Sequence, residues 1–144
     1  MKTLILYNSN IKSDFLNINS VVNDILSKLI VICCKEEESF LYDTKIILNE
    51  LITNAIIHGN KCNNNKNVKI MAEILNEKYV FFSIRDEGEG FCYEKVAINK
   101  EIDISDFSCL SESGRGMHIV RCLCDKVKFN KKGNKIIAIK RIST

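Results

Sequence analysis

The stretch Ile47–Asn60 (ILNELITNAIIHGN) constrains the fold more than any other part of the chain. Its apolar residues recur at helical spacing, which predicts an amphipathic helix with one broad buried face. Glu50, Asn54 and His58 follow at steps of four residues, so they share one side of that helix. Gly59 occupies the position where a helix commonly ends in a left-handed residue. Burying a carboxylate without a partner is costly, so the paired carboxylate and carboxamide predict a site for a metal ion, alone or with a water.

Two glycine-containing motifs follow this helix. Arg85–Phe91 (RDEGEGF) comes directly after an apolar run, and Ser113–Met117 (SGRGM) comes directly before a helix-like run. Asp86 at a strand end offers an acceptor for an exocyclic amine, while Gly88 and Gly90 let the backbone approach a ring or adopt positive φ. The alternative for this motif alone is a turn without a ligand. The ordered set of three motifs is much more specific than any single match.

The second glycine motif predicts a phosphate site. We expect Gly114, Arg115 and Gly116 to open a helix, whose free N–H groups and dipole favour bound phosphate. Arg115 would add a charge-assisted hydrogen bond to phosphate oxygens. The alternative is a hinge that carries a solvated arginine.

The order of these motifs resembles the GHKL ATPase superfamily of gyrase, histidine kinases, mismatch-repair ATPases and a heat-shock chaperone. The segments 49–60 (NELITNAIIHGN) and 113–129 (SGRGMHIVRCLCDKVKF) are most similar to the small bacterial anti-sigma-factor serine kinases. The resemblance covers nearly the whole chain and implies ATP and Mg²⁺ as cofactors. The implied roles are general base for Glu50, Mg²⁺ ligand for Asn54, adenine contact for Asp86, Gly88 and Gly90, and phosphate contact for Gly114, Arg115 and Gly116.

The same resemblance implies a function. An anti-sigma factor of this family transfers phosphate from ATP to a serine of an anti-anti-sigma antagonist and sequesters an RNA polymerase sigma factor, and it often forms a homodimer. One alternative is a non-catalytic ATP-binding module that acts by partner binding alone. A second is a histidine-kinase-like catalytic domain working in trans. That domain would need a phosphoacceptor histidine, whereas His58 and His118 both lie within the motifs, and we interpret His58 as structural.

One stretch departs from the family pattern. The last strand of the family usually carries a threonine pair that reaches the adenine, and the corresponding residues here are 134–137 (NKII). Lys135 and Ile136 cannot replace a threonine hydroxyl. A water or a backbone group would have to substitute, or the affinity for the nucleotide would be lower.

Composition excludes several other classes of protein. The 144 residues, 46% hydrophobic and 27% charged, predict one globular domain over residues 1–144. We expect a cytoplasmic protein with no membrane segment, because no apolar run approaches about 20 residues and the N-terminus lacks a signal-peptide pattern. The net charge of +3 is too small to imply nucleic-acid binding by itself, and no known reading helix accompanies the basic residues after Asp125, so we expect no direct nucleic-acid contact.

The seven cysteines do not predict a disulfide framework, because their number is odd and no secretory signal accompanies them. We interpret them as small buried apolar residues. The alternative is a metal-binding pair formed by His118 and Cys122, which are one helical turn apart.

The order of predicted elements gives an α+β fold. We expect a two-layer sandwich, with a mixed or antiparallel sheet, helices on one face and an ATP lid, as in the Bergerat-type ATP-binding fold that the resemblance implies. The predicted elements are strand Thr3–Tyr7, turn Asn8–Asn10, helix Asp14–Cys33 with Ser13 as N-cap, helix Ser39–His58, loop Asn60–Asn67, hairpin strands Val68–Leu75 and Tyr79–Arg85, lid Phe91–Ser113, helix Gly116–Cys124 and hairpin strands Val127–Phe129 and Lys135–Ile142.

Overall fold

A computed structural model describes residues 2–33, 38–90 and 112–142 of the chain. In that part of the chain, five antiparallel strands form one sheet in the order β1-β2-β3-β5-β4. The elements are β1 Thr3–Lys12, a 3₁₀ turn Phe15–Asn17, α1 Ile18–Cys33, α2 Glu38–Asn54, a π-helical turn Ala55–Gly59, β2 Asn67–Leu75, β3 Tyr79–Arg85, α3 Glu112–Leu123, β4 Lys126–Phe129 and β5 Lys135–Arg141. The predicted α+β class is confirmed. The predicted lid over 91–113 lies, as far as residue 111, outside the described residues.

The core lies between one face of the sheet and the helices. Alternate residues of β2 are buried, as expected for a strand with one face against a core, and in β3 Val80, Phe82 and Ile84 are buried on one face with Ser83 buried on the other. The buried residues of α1 and α2 recur at three- and four-residue spacing, so each helix turns one apolar side toward the sheet. The largest fully buried side chains include Phe82, Ile25, Leu29, Ile47, Leu48, Leu51, Ile52 and Ile56.

Strand β1 is longer than its sequence predicts. The turn predicted at Asn8–Asn10 is wrong, because the strand continues to Lys12 and pairs with β2 along its length, with an irregularity between Ile5 and Tyr7. Its polar residues are tolerated since β1 is an edge strand, where outward-facing side chains meet solvent.

The N-cap predicted at Ser13 is also wrong. The carboxylate of Asp14 caps the 3₁₀ turn instead, accepting from the N–H of Leu16 at 3.0 Å. Ser13 is buried, and its hydroxyl donates to the carbonyl of Lys66 at 2.9 Å. The junction between β1 and α1 is thereby tied to the loop that precedes β2.

The end of α2 is a π-helical turn rather than a left-handed glycine. The N–H of Asn60 donates to the carbonyl of Ala55 at 2.8 Å, which is the five-residue spacing of a π-turn. Positive φ angles occur at Lys61 (51°) and Cys62 (58°) and not at Gly59, so the left-handed conformation predicted at Gly59 is wrong, although the helical segment does end at this residue.

One segment, Phe15–Ile32, has the length and mean hydropathy (1.4 over 18 residues) of a membrane-spanning helix and lies near the N-terminus. Five of its residues, Ile18, Val21, Val22, Ile25 and Leu29, are buried in the domain core. A core helix of a soluble protein passes the same test of length and composition, so the segment is weak evidence for a membrane span.

Candidate functional site

A pocket lies where the end of β3 meets α2, α3 and the start of β5. Residues from all of these elements line it, and part of it is open to solvent. The lining residues are Leu51, Asn54, Ala55, Ile84, Asp86, Met117, Asn134, Lys135 and Ile136. Asn54 comes from the helix motif, Asp86 from the first glycine motif and Met117 from the second, so the fold brings the three sequence motifs together.

Asp86 is the buried carboxylate of this pocket. Its side chain is 7% exposed, and its Oδ1 accepts a hydrogen bond from the N–H of Gly88 at 2.8 Å. Burial raises the pKa of Asp86 above the ordinary value of 3.8, while the Gly88 N–H and the positive charges of Lys66 and Lys132 oppose that rise. The carboxylate is therefore fixed by a backbone donor within a largely apolar pocket.

Two glycines allow the π-turn and the Asp86 loop to pack closely. A Cβ on Gly59 would overlap the carboxylate of Asp86, and a Cβ on Gly88 would overlap the carbonyl oxygen of Gly59. The backbone of Gly88 therefore lies close to the backbone of the π-turn. Gly90 has a φ of +98° and lies against the carbonyl of Lys132, so a side chain there would be strained as well as obstructed.

Asn134 holds Asp86 from the β5 side, and sequence reasoning missed this role. The N–H of Asp86 donates to the carbonyl of Asn134 at 2.9 Å, and the Asn134 carboxamide donates back to the carbonyl of Asp86 at 3.2 Å. Asn130 orients that carboxamide by donating to its Oδ1 at 2.6 Å. The sequence signal for this role was the turn 130–134 (NKKGN) before β5, because asparagine side chains commonly form hydrogen bonds with nearby backbone in turns.

Glu50 faces the third helix. The side chains of Glu50 and Asn54 are both half-buried on α2, and a Cβ on Gly116 would overlap Oε2 of Glu50. The predicted shared face of Glu50 and Asn54 thus turns toward α3 and the pocket, whereas His58 is exposed in the π-turn.

The phosphate motif lies slightly deeper in its helix than predicted. In the described part of the chain α3 begins at Glu112, so Gly114 and Arg115 fall in its first turn and Gly116 lies beyond it. The N–H groups of a first turn have no acceptor within the helix, which keeps this end suited to an anion. The side chain of Arg115 lies outside the described residues. The prediction that Gly116 starts this helix is wrong, because α3 begins a turn earlier.

The side chains that line the pocket have the chemistry that a purine nucleotide would need. Leu51, Ile84, Met117 and Ile136 supply apolar walls for a flat ring, and Asp86 supplies an acceptor at their edge. The carboxamide oxygen of Asn54 is a hard ligand of the kind that Mg²⁺ accepts together with phosphate oxygens.

The described cysteines differ in their surroundings. Cys62 and Cys122 are exposed, so their interpretation as buried apolar residues is wrong, while Cys124 is partly buried and burial raises the pKa of its thiol to about 12. Sγ of Cys122 lies 3.6 Å from Nε2 of His118. Among the described residues, no group of three or more metal-ligating side chains surrounds this pair.

Comparisons with known proteins agree with the α+β fold described above. The sequence family described as the histidine kinase-like ATPase domain matches residues 20–140. The chain is similar to the serine-protein kinase RsbW of Staphylococcus aureus strains JH9, Newman and NCTC 8325, each 34% identical over 100 residues. The match covers 67% of this chain and 62% of each relative. The chain therefore aligns with somewhat less than two thirds of the length of these relatives.

Proposed function

We propose, from the premise that this chain belongs to the histidine kinase-like ATPase domain family, that it is an ATP-dependent protein-serine kinase that acts as an anti-sigma factor. Its substrate would be a serine hydroxyl of an anti-anti-sigma antagonist, and its second partner would be an RNA polymerase sigma factor that it sequesters. The similarity to relatives named serine-protein kinase supports the reaction class. The partners, a homodimer and a cytoplasmic location follow from the family resemblance.

The observation that carries the proposal is the position of Asp86 in the pocket. A buried carboxylate acceptor at the edge of apolar walls suits the amino group and the ring of adenine. Asn54, in the same pocket, would hold Mg²⁺ together with the phosphates of ATP. The first turn of α3, with Gly114 and Arg115, would receive those phosphates.

The chemistry would depend on positioning, because phosphoryl transfer asks little covalent chemistry of the protein. Glu50 would accept the proton of the attacking serine hydroxyl as the oxygen forms its bond to the γ-phosphorus, and ADP would leave. Mg²⁺, when bound, would neutralise charge on the phosphate oxygens. The contact between Glu50 and the helix at Gly116 would keep the carboxylate near the start of α3.

The second candidate is a non-catalytic ATP-binding module that regulates a partner by contact. Ile136 favours it, because this residue is 8% exposed in the pocket wall and lies in the stretch where the family usually has a threonine pair. Transfer of radiolabelled phosphate from Mg-ATP to the antagonist separates the two functions. ATP binding without any transfer to the true antagonist supports the contact mechanism.

Calorimetric titration with Mg-ATP tests the nucleotide site. We expect the unmutated chain to bind and Asp86→Ala to lose roughly 10- to 100-fold in affinity, the loss that follows when a hydrogen bond to a charged group is removed. Asp86→Asn keeps an acceptor for the Gly88 N–H but presents an amide to adenine, so it should lose affinity with little loss of stability. Glu87→Gln is the matched control, since it removes an exposed charge from the same loop. Absence of binding by the unmutated chain would contradict the proposal.

A further inference from the structure

Asn60 is a buried carboxamide that links three separate segments of the chain. Its side chain is 1% exposed. Its Nδ2 donates to Oγ of Ser13 at 2.6 Å and to the carbonyl of Asn67 at 2.9 Å. Its Oδ1 accepts from the backbone N–H of Glu87 at 2.8 Å. A carboxamide has two donors and one acceptor oxygen, so both kinds of group are used.

The partners of Asn60 are themselves held in place. Ser13 is fixed between β1 and α1, where its N–H and its hydroxyl both donate to the carbonyl of Lys66, at 3.1 and 2.9 Å. Asn67 is the first residue of β2. The Asn60 side chain is therefore anchored on one side to the β1–α1 junction and on the other to the sheet, and its oxygen is directed at the loop after β3.

The loop that Asn60 contacts carries Asp86. Glu87 directly follows Asp86, and the next N–H along the chain, that of Gly88, donates to the Asp86 carboxylate. On the opposite side, Asn134 bonds both the N–H and the carbonyl of Asp86. Asn60 and Asn134 thus hold the loop from two sides, with the Asp86 carboxylate between them.

We infer that Asn60 is a positioning residue that fixes the Asp86 carboxylate for recognition of the adenine amino group. The inference rests on the proposed nucleotide-binding function. Asn60 does not line the pocket, so it acts through the Glu87 N–H rather than by touching the nucleotide. Loss of this hydrogen bond frees the loop on the side of the π-turn, and the carboxylate then occupies its position for a smaller fraction of the time.

The network offers a matched pair of substitutions. Asn60→Ala removes the acceptor of the Glu87 N–H. Ser13→Ala breaks the same network on its far side and leaves that acceptor in place. Both variants lose buried hydrogen bonds, so both should unfold at lower temperature. Only the first should change how the pocket recognises a base.

The experiment compares the affinities of each variant for Mg-ATP and for Mg-inosine triphosphate, which has a carbonyl in place of the adenine amino group. We expect Asn60→Ala to reduce the preference for ATP about tenfold, while Ser13→Ala keeps it within about twofold. Asn60→Asp retains a side-chain oxygen for the Glu87 N–H and should keep more of the preference than Asn60→Ala. An Asn60→Ala protein that is less stable but keeps the full preference would overturn the inference. If Asn60→Ala does not fold, Asn60→Asp is compared with the unmutated chain, and loss of the preference despite its retained oxygen overturns the inference.

Amide hydrogen exchange measured without nucleotide separates this inference from the proposed function. The Glu87 amide should exchange faster in Asn60→Ala than in the unmutated chain, and Ser13→Ala should leave it protected. If the unmutated chain bound neither nucleotide, the proposed function would fail. Faster exchange of the Glu87 amide in Asn60→Ala, but not in Ser13→Ala, would still support the positioning of the loop by Asn60. Unchanged protection of Glu87 in Asn60→Ala would overturn the positioning role.

Discussion

The two carboxylates near the pocket, Asp86 and Glu50, are held in opposite ways. Asp86 has a short side chain that is 7% exposed and accepts a backbone N–H, in a loop held by two buried asparagines. Glu50 has a long, half-buried side chain on α2 whose carboxylate faces the backbone of a second helix at Gly116. One carboxylate is fixed by local backbone geometry, and the other is placed by the packing of two helices.

This difference matches the two tasks that the proposed kinase requires. Recognition of adenine needs a hydrogen-bond acceptor that does not move, because a displaced acceptor leaves the amino group of the adenine ring unpaired. Transfer of a proton needs a base that a partner's hydroxyl can reach, which a half-exposed side chain at a helix–helix contact allows. The comparison therefore predicts that changes near Asp86 affect binding and that changes near Glu50 affect the chemical step.

The largest expected effect is that of Glu50→Gln. Removing a general base should slow phosphate transfer to the antagonist by roughly 10²- to 10⁴-fold, while the affinity for Mg-ATP changes little. Single-turnover transfer of labelled phosphate measures the first quantity and calorimetry the second. A variant that transfers phosphate at the unmutated rate would show that Glu50 is not the base. A large loss of ATP affinity would instead place Glu50 in the binding site.

The two glycines beside these carboxylates provide the next test. Gly59 has no positive φ, so Gly59→Ala is tolerated by the backbone, but its Cβ would displace the buried Asp86 carboxylate. We expect the affinity of Gly59→Ala for ATP to fall about tenfold or more.

The Cβ of Gly116→Ala would meet the end of the Glu50 side chain, so we expect the rate of phosphate transfer to fall about tenfold with ATP affinity largely kept.

The same two measurements, calorimetry and single-turnover transfer, apply to both glycine variants. The thermal stability of each variant is the control, since alanine favours a helix more than glycine does. The comparison fails if Gly116→Ala is the variant that loses ATP affinity and Gly59→Ala is the one that loses transfer.

Local patterns predicted much of the fold and the principal pocket residues. Alternation predicted the hairpin of β2 and β3, and helical spacing predicted α2, because a sequence displays periods of two and 3.6 residues directly. The family resemblance implied that Asn54 and Asp86 would lie in one site, and both line the pocket.

The features that sequence reasoning missed depend on contacts between distant residues. Strand β1 extends through polar residues because β2 pairs with it, and Ser13 is buried by its bond to Lys66 rather than exposed as a cap. Asn60 and Asn134 are ordinary turn residues in the sequence. Their role follows only from the side chains and backbone that reach them across 27 and 48 residues of separation.

The smallest expected effect is the pH dependence of Asp86. Burial raises the pKa of Asp86 above 3.8, so the folded chain binds this proton more tightly than the unfolded chain does. The contribution of this group to the free energy of unfolding therefore falls as the pH rises from about 3.8 through the folded-state pKa. Asp86→Asn has no titrating group at this position. Its free energy of unfolding should therefore rise relative to that of the unmutated chain as the pH increases across that window. Chemical denaturation at a series of pH values measures the difference.

The affinity for ATP should depend on pH with the opposite sign. The ionised carboxylate of Asp86 is the proposed acceptor for the adenine amino group, so affinity should weaken as the pH falls through the same pKa at which the folded chain becomes more stable. Glu50→Gln should show the same dependence of ATP affinity, because the role proposed for Glu50 is in the chemical step. If acidification strengthened ATP binding instead, Asp86 would be acting as a donor to a ring nitrogen. The contrast between Asp86 as a fixed acceptor and Glu50 as the base of the chemical step would then no longer hold.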